Sequence, residues 1–308
     1  MIASMKIASR LFLALLLPVS ALSAADDYVI RFTRPSKIGD RFRLDANGTT
    51  RESERITVGG QVQTDEKDLS VHLIAAATVL AVDSRSDATR IEYVIQTCEK
   101  TEGGKTEQVL AAGRKVIAES DAQGKTEFTV DGDPALDDIS KALGVVISAH
   151  TPGSPTDDDI FGTTERKKVG DTWSINTRTA ATYLSKAGLG VSADNLKGTV
   201  SLDAVKTVGG VKALSLTTHM SAEGMTMELP EFLQIEKSSM AGEFTSLVPV
   251  DPEAENLLPN KIKMTIDVLL RGQKPDTGSS VTIEEKMEMS VENTYSALGK
   301  GVLSASRR

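Results

Sequence analysis

The chain reads as a mainly β protein: long antiparallel strands forming one or more sheets or a half-barrel, a few short helices, and two similar halves. Three observations predict this. Apolar and polar residues alternate at period two over unusually long stretches. The stretches come in pairs joined by turn-forming residues. A Gly-Asp-x-aromatic segment stands upstream of such a pair in each half.

The repeated segment is SKIGDRFRL, residues 36–44, and KKVGDTWSI, residues 167–175. Gly39 and Gly170 can take a positive φ, and Asp40 and Asp171 can accept bonds from nearby amides, so each Gly-Asp pair turns the chain into a strand. Beyond the corner Phe42 and Leu44 alternate with Arg41 and Arg43, and Trp173 and Ile175 alternate with Thr172 and Ser174. Each half therefore sends one aromatic toward a core, in a chain with only 4% aromatic residues and a single tryptophan. The functional alternative for Trp173 is a platform on which a ligand stacks.

Three long hairpins follow from the alternation. Residues 69–82 and 90–99 flank the turn-like stretch 83–87, residues 198–208 and 211–221 flank Gly209-Gly210, and residues 261–271 and 281–291 flank GQKPDTGSS. Leu269 and Glu285 are the exceptions in the last pair. The order of corner and then hairpin, met twice, suggests an internal duplication.

Helix is sparse. Leu136, Ile139, Leu143 and Val146 recur at helical spacing after Asp133-Pro134, which predicts a helix over about 134–148 with Asp133 as N-cap and Pro134 at its first position. A second helix is expected over 179–187, ahead of Gly188. Residues 150–168, rich in Pro, Gly and charge, mark the boundary between a first half, 26–149, and a second half, 169–308.

The amino terminus predicts export. Lys6 and Arg10, the apolar run LFLALLLPVSAL and the small residues before Asp26 form the three parts of a signal peptide over residues 1–25. No later apolar run is long enough for a transmembrane helix, so the expected location is periplasmic or extracellular. Cys98, the only cysteine, rules out an internal disulfide. With 35 basic against 43 acidic residues and no basic cluster among aromatics, nucleic acid is excluded as a partner.

The stretch DDIFG, residues 158–162, leading into KVGDTW, residues 168–173, resembles a group of exported bacterial β-rich families of unknown function. More distantly, long antiparallel strands under a helix resemble the half-barrel of periplasmic lipoprotein carriers. That second resemblance implies a sheet face able to hold acyl chains; neither brings a catalytic residue.

A search for chemistry finds no catalytic motif. His72, His150 and His219 stand alone in the sequence, and no zinc-protease, nucleophile-elbow or phosphate-loop pattern is present. Asp131, Asp133, Asp137 and Asp138, and again Asp157, Asp158 and Asp159, cluster without the spacing of a calcium loop, so neither a metal nor a cofactor is expected. Cys98 shares the alternation of Glu92, Val94 and Gln96 and is expected to be a partly exposed, inert thiol.

Methionine is the odd signal. Met220, Met225, Met227, Met240, Met264, Met287 and Met289 all fall in the last third of the chain. Met225/Met227 and Met287/Met289 are i, i+2 pairs, expected to point the same way from a strand. Ordinary core filling explains them; so would soft ligands for copper(I), or adaptable side chains lining a site for an apolar ligand. The sequence therefore leads to an exported, non-enzymatic binding or structural module. Its apolar small molecule or envelope partner would meet Met225, Met227, Met264, Met287, Met289 and Trp173. The alternative is a hydrolase whose carboxylate pair comes from different loops.

Overall fold

The structure is a computed structural model that describes residues 26–121, 124–186, 188–254 and 257–298. The expected signal peptide over residues 1–25 lies outside the described residues. Thirteen strands form one open antiparallel sheet. The first half supplies β1 (Arg41–Val58), β2 (Gln61–Val82), β3 (Ala88–Glu102), β4 (Lys105–Gln108), β5 (Lys115–Ser120), β6 (Thr126–Val130) and the two-residue β7 (Asp133–Pro134). Helix α1 (Asp137–Val146) and the short α2 (Asp157–Phe161) follow. The second half supplies β8 (Thr172–Ser174), α3 (Thr177–Lys186), β9 (Leu196–Val208), β10 (Val211–Glu223), β11 (Leu233–Pro249), β12 (Asn260–Gln273) and β13 (Ser280–Ala297).

Each half is a meander, and the first strand of one pairs with the last strand of the other, giving the order β7-β6-β5-β3-β2-β1-β13-β12-β11-β10-β9-β8, with β4 also on β3. The β1–β13 ladder runs the full length of both strands, from Phe42 opposite Ala297 to Val58 opposite Val281. The two halves thus share a continuous sheet. The segment 150–168 carries the chain toward β8, at the far edge from β7, and contains α2 with Ile160 buried.

The two Gly-Asp corners are built bond for bond alike. In the first, Asp40 N–H donates to Lys37 O (3.0 Å), Gly39 N–H to Val79 O (2.9 Å) and Val79 N–H to Asp40 O (3.0 Å). In the second, Asp171 N–H donates to Lys168 O (3.0 Å), Gly170 N–H to Leu202 O (2.7 Å) and Leu202 N–H to Asp171 O (3.0 Å). The aspartate carboxylates accept from Lys37 N–H at 2.7 Å and Lys168 N–H at 2.8 Å. Both glycines need positive φ, 91° and 96°. Two residues on, Phe42 pairs with Ala77 and Trp173 with Val200, so the aromatics occupy equivalent places.

Cross-strand partners in an antiparallel ladder share a face. One row on the helix-bearing face runs Gly48–Val291–Ile262–Phe244–Thr218–Val200–Trp173. Helix α1 seats on its Gly48 end, where an added Cβ would lie 2.6 Å from Val145 Cγ1. At the other end Phe161 of α2 meets Phe244 with ring centroids 5.7 Å apart, and its carbonyl accepts Trp173 Nε1–H at 2.8 Å. Under α1 lies one core, with Leu73, Cys98, Val116 and Leu143; Phe42 packs on its margin, edge-on to Tyr295. Under α2 and α3 lies a second, smaller core, a third forms where Ile30 packs on Leu202, Leu214 and Leu216, and Trp173 touches both.

Two sequence expectations are corrected here. Helix α1 starts at Asp137, and its N-cap position is Leu136 with no side-chain cap. Asp133-Pro134 instead forms the edge strand β7, because Asp131 (φ 53°) and Gly132 (φ 98°) make a tight hairpin that pairs Asp133 with Val130. A proline is tolerated on that edge because it has no N–H to leave unpaired there. Cys98 is fully buried in the first core. A bulge at Gln96 shifts the β2–β3 register, so Cys98 joins the face of Ile91, Tyr93 and Ile95. Burial pushes its thiol up to about 11, which keeps it inert.

Candidate functional site: an apolar strip between two covered cores

Strands β12 and β13 run between the helix-covered regions. Helix α1 contacts β1, β2 and β6, while α3 contacts β9. Two further rows cross the gap on the helix-bearing face: Thr50–Met289–Met264–Gly242–Met220 and Glu52–Met287–Ile266–Met240–Ala222. With Val291 and Ile262 of the first row they place six apolar side chains side by side on two adjacent strands. All six are half-buried. Met264 and Ile266 pack against the second core, whereas Met287, Met289, Val291 and Ile262 stand outside every core cluster of the described residues. The strip extends about 14 Å along β13 and about 5 Å from strand to strand at ordinary sheet spacing.

The expected site residues are only partly brought together. Met264, Met287 and Met289 meet as described. Met225 does not join them: β10 ends at Glu223, Gly224 turns with φ 61°, and Met225 drops into the second core at 1% exposure. Met227 is half-buried outside any strand, so the i, i+2 reading of Met225 and Met227 on one strand fails at that glycine. Trp173 is a joint between cores, with its N–H bonded inside the protein and Lys167 Nζ 5.7 Å from the ring centroid. Met220 and Met240 are core.

Carboxylates border the strip. Glu54 and Glu285 are direct cross-strand partners and Glu52 stands opposite Met287, while Lys67 is bound to Asp65 at 2.8 Å. Burial, then Glu54 and Glu52, push the Glu285 carboxyl above its ordinary value. This is the residue that breaks the alternation in the sequence, and it interrupts the apolar row of β13 between Met287 and Ile283.

The opposite face is polar. A groove of about 530 Å³ there is lined chiefly by side chains of the other alternation, Arg51, His219, Glu243, Lys263 and Glu288, and Met264 and Met289 of the strip strands also border it. Two aspartates of the 157–159 cluster are occupied structurally. Asp158 accepts Phe32 N–H (2.6 Å) and Thr33 N–H (3.0 Å), and Asp159 closes a capping box with Thr156. The histidines, isolated in sequence, each approach a carboxylate: His72 Nε2 lies 3.2 Å from Asp45, His219 Nδ1 3.9 Å from Glu243, and His150 faces Asp83 and Asp87. Among the described residues no helix is long and apolar enough to cross a membrane.

No protein-family profile matches the chain, and no curated protein matches it in sequence. Among solved structures it is similar to a DUF1329 family protein from Desulfovibrio piger ATCC 29098, at 10% identity over 78% of this chain and 83% of that one, TM-score 0.16. It is similar also to OccK11 (OpdR) of Pseudomonas aeruginosa, at 8% identity over 87% of this chain and 100% of that one, TM-score 0.15. A third is the CymD monoaromatic hydrocarbon channel, at 8% identity over 84% and 89%, TM-score 0.10. At these scores the likenesses carry no argument about function.

Proposed function

We propose that the protein is an exported, non-enzymatic binding module that holds an alkyl-chain-like apolar ligand along Met264, Met287, Met289, Ile262, Ile266 and Val291. The observation that carries this reading is the position of the strip: six apolar side chains, half-exposed, in the one gap between helix-covered stretches of a continuous sheet. A contiguous apolar patch left to water has a free-energy cost that an occupant removes. Unbranched methionine side chains adapt to ligands of variable shape. The acidic border of Glu52, Glu54 and Glu285 favours a neutral or cationic headgroup over an anionic one.

A hydrolase would need two carboxylates facing each other across a cleft; Glu54 and Glu285, the pair beside the strip, are adjacent on one sheet face, half-buried and exposed respectively, with no cleft between them. Binding is therefore preferred over catalysis. The test is organic extraction of the purified protein followed by melting with and without added lipid extract. Co-purified lipid, or a rise in the melting temperature on addition, supports the reading; neither would remove it.

A further inference from the structure

The turn between β2 and β3 meets the segment leaving α1 at a histidine and two aspartates that the apolar strip does not use. Asp83 Oδ1 accepts the amides of Arg85 (2.8 Å) and Asp87 (3.0 Å), and Asp83 N–H donates to Asp87 O at 2.9 Å. The amide of His150 is fixed on Ala88 O at 3.1 Å, which brings its ring into the turn. Nε2 of His150 then stands 3.8 Å from Asp83 Oδ2 and 3.8 Å from Asp87 Oδ2. Those distances are too long for hydrogen bonds.

All three atoms are buried, and among the described residues none has a hydrogen-bond partner. The Asp83 side chain is 7% exposed and that of Asp87 10%. Buried polar atoms without partners are rare, and three aimed at one point indicate a missing common partner. Its charge is positive. The guanidinium of Arg85, in the same turn, is engaged by Asp159 (2.6 Å) and by the carbonyl of Ser154.

We propose that His150 Nε2, Asp83 Oδ2 and Asp87 Oδ2 bind one divalent metal cation of the zinc class, with the remaining position open to water. The three donor atoms lie within 4.8 Å of one another. Zinc with nitrogen and oxygen ligands at about 2.0–2.2 Å sets tetrahedral neighbours about 3.4 Å apart, so the two 3.8 Å separations from His150 are only a few tenths of an ångström too long. One imidazole with two carboxylates suits zinc better than calcium or magnesium, which take oxygen alone. The ion would tie the 83–87 turn of the first half to the segment that leads into the second.

The test is zinc retention by the purified full chain after chelator treatment, re-addition of zinc and dialysis, with metal content and melting temperature as readouts. Wild type is expected to retain about one zinc per chain and to melt higher with it. Asp87→Asn and His150→Gln should lose retention at least tenfold, while His219→Gln on the polar face retains it. Cobalt(II) bound by the unaltered chain should show visible absorption of a low-coordinate site that zinc abolishes, which covers a variant that fails to fold. Zinc content at background in wild type, retention equal to wild type in folded Asp87→Asn and His150→Gln, or cobalt with only the spectrum of its hydrated ion would each overturn the assignment.

Discussion

Met264 and Met289 are direct cross-strand partners at the centre of the sheet, on the face that carries the helices and in the gap that the helices leave. Both are half-buried. Met289→Glu is expected to weaken binding of an uncharged alkyl-chain probe more than tenfold, because a carboxylate must be desolvated beneath the chain. Its effect on stability should stay near 1 kcal/mol, as at other partly exposed positions. Met225→Ala reverses the pattern. It should cost about 2–5 kcal/mol as a core cavity and leave probe affinity unchanged. Urea unfolding with probe titration on both variants separates the two roles.

The corners at Gly39 and Gly170 should respond in parallel. A Cβ at either glycine meets nothing within 4 Å, so Gly→Ala isolates the backbone cost of φ near 91° and 96°. Each is expected to lose about 1–2 kcal/mol. Asp40→Ala and Asp171→Ala each remove one carboxylate bond to an amide, for about 1 kcal/mol. Chemical denaturation of the four variants checks this, and a large loss at one corner with none at the other would show that the two are not equivalent.

Gly48 differs from those glycines because its constraint is contact. A methyl there would lie 2.8 Å from Val145 O and 2.9 Å from Val146 Cγ1, so α1 must lift. Gly48→Ala should cost about 1–3 kcal/mol through overpacking. Faster hydrogen exchange across α1 and the facing part of β2 is the local readout.

Glu285 predicts a pH dependence. Its folded-state pKa is raised, first by burial and then by Glu54 and Glu52, so the folded chain holds this proton more tightly than the unfolded chain does. Its contribution favours folding below the ordinary carboxylate value and turns into a cost as pH rises through the shifted one. Glu285→Gln should therefore raise the melting temperature at about pH 7 and bring no gain at about pH 4. An equal effect at both values would contradict the assignment.

The local architecture was legible because period-two alternation and Gly-Asp corners act through near neighbours. Hairpins 69–99, 198–221 and 261–291 all appear as read. What escaped depends on pairings between distant segments. The bulge at Gln96 inverts the face of Cys98, and nothing in RIEYVIQTCE signals it; the partner strand decides. Asp133-Pro134 reads as a helix start, and the Asp131-Gly132 hairpin makes it an edge strand instead. The β1–β13 ladder, which places Thr50 and Glu52 beside Met289 and Met287, joins residues more than two hundred positions apart. The approach of His150 to Asp83 and Asp87 depends on the same kind of distant packing.

The most direct test is photolabelling with a neutral alkyl chain carrying a diazirine, followed by peptide mapping of the purified protein. Labels are predicted on the peptides of β12 and β13 that hold Met264, Met287 and Met289, competed by unlabelled chain and lost in Met289→Glu. Labels in the groove of Arg51, His219 and Lys263 on the other face, or no competable label anywhere, would contradict the account.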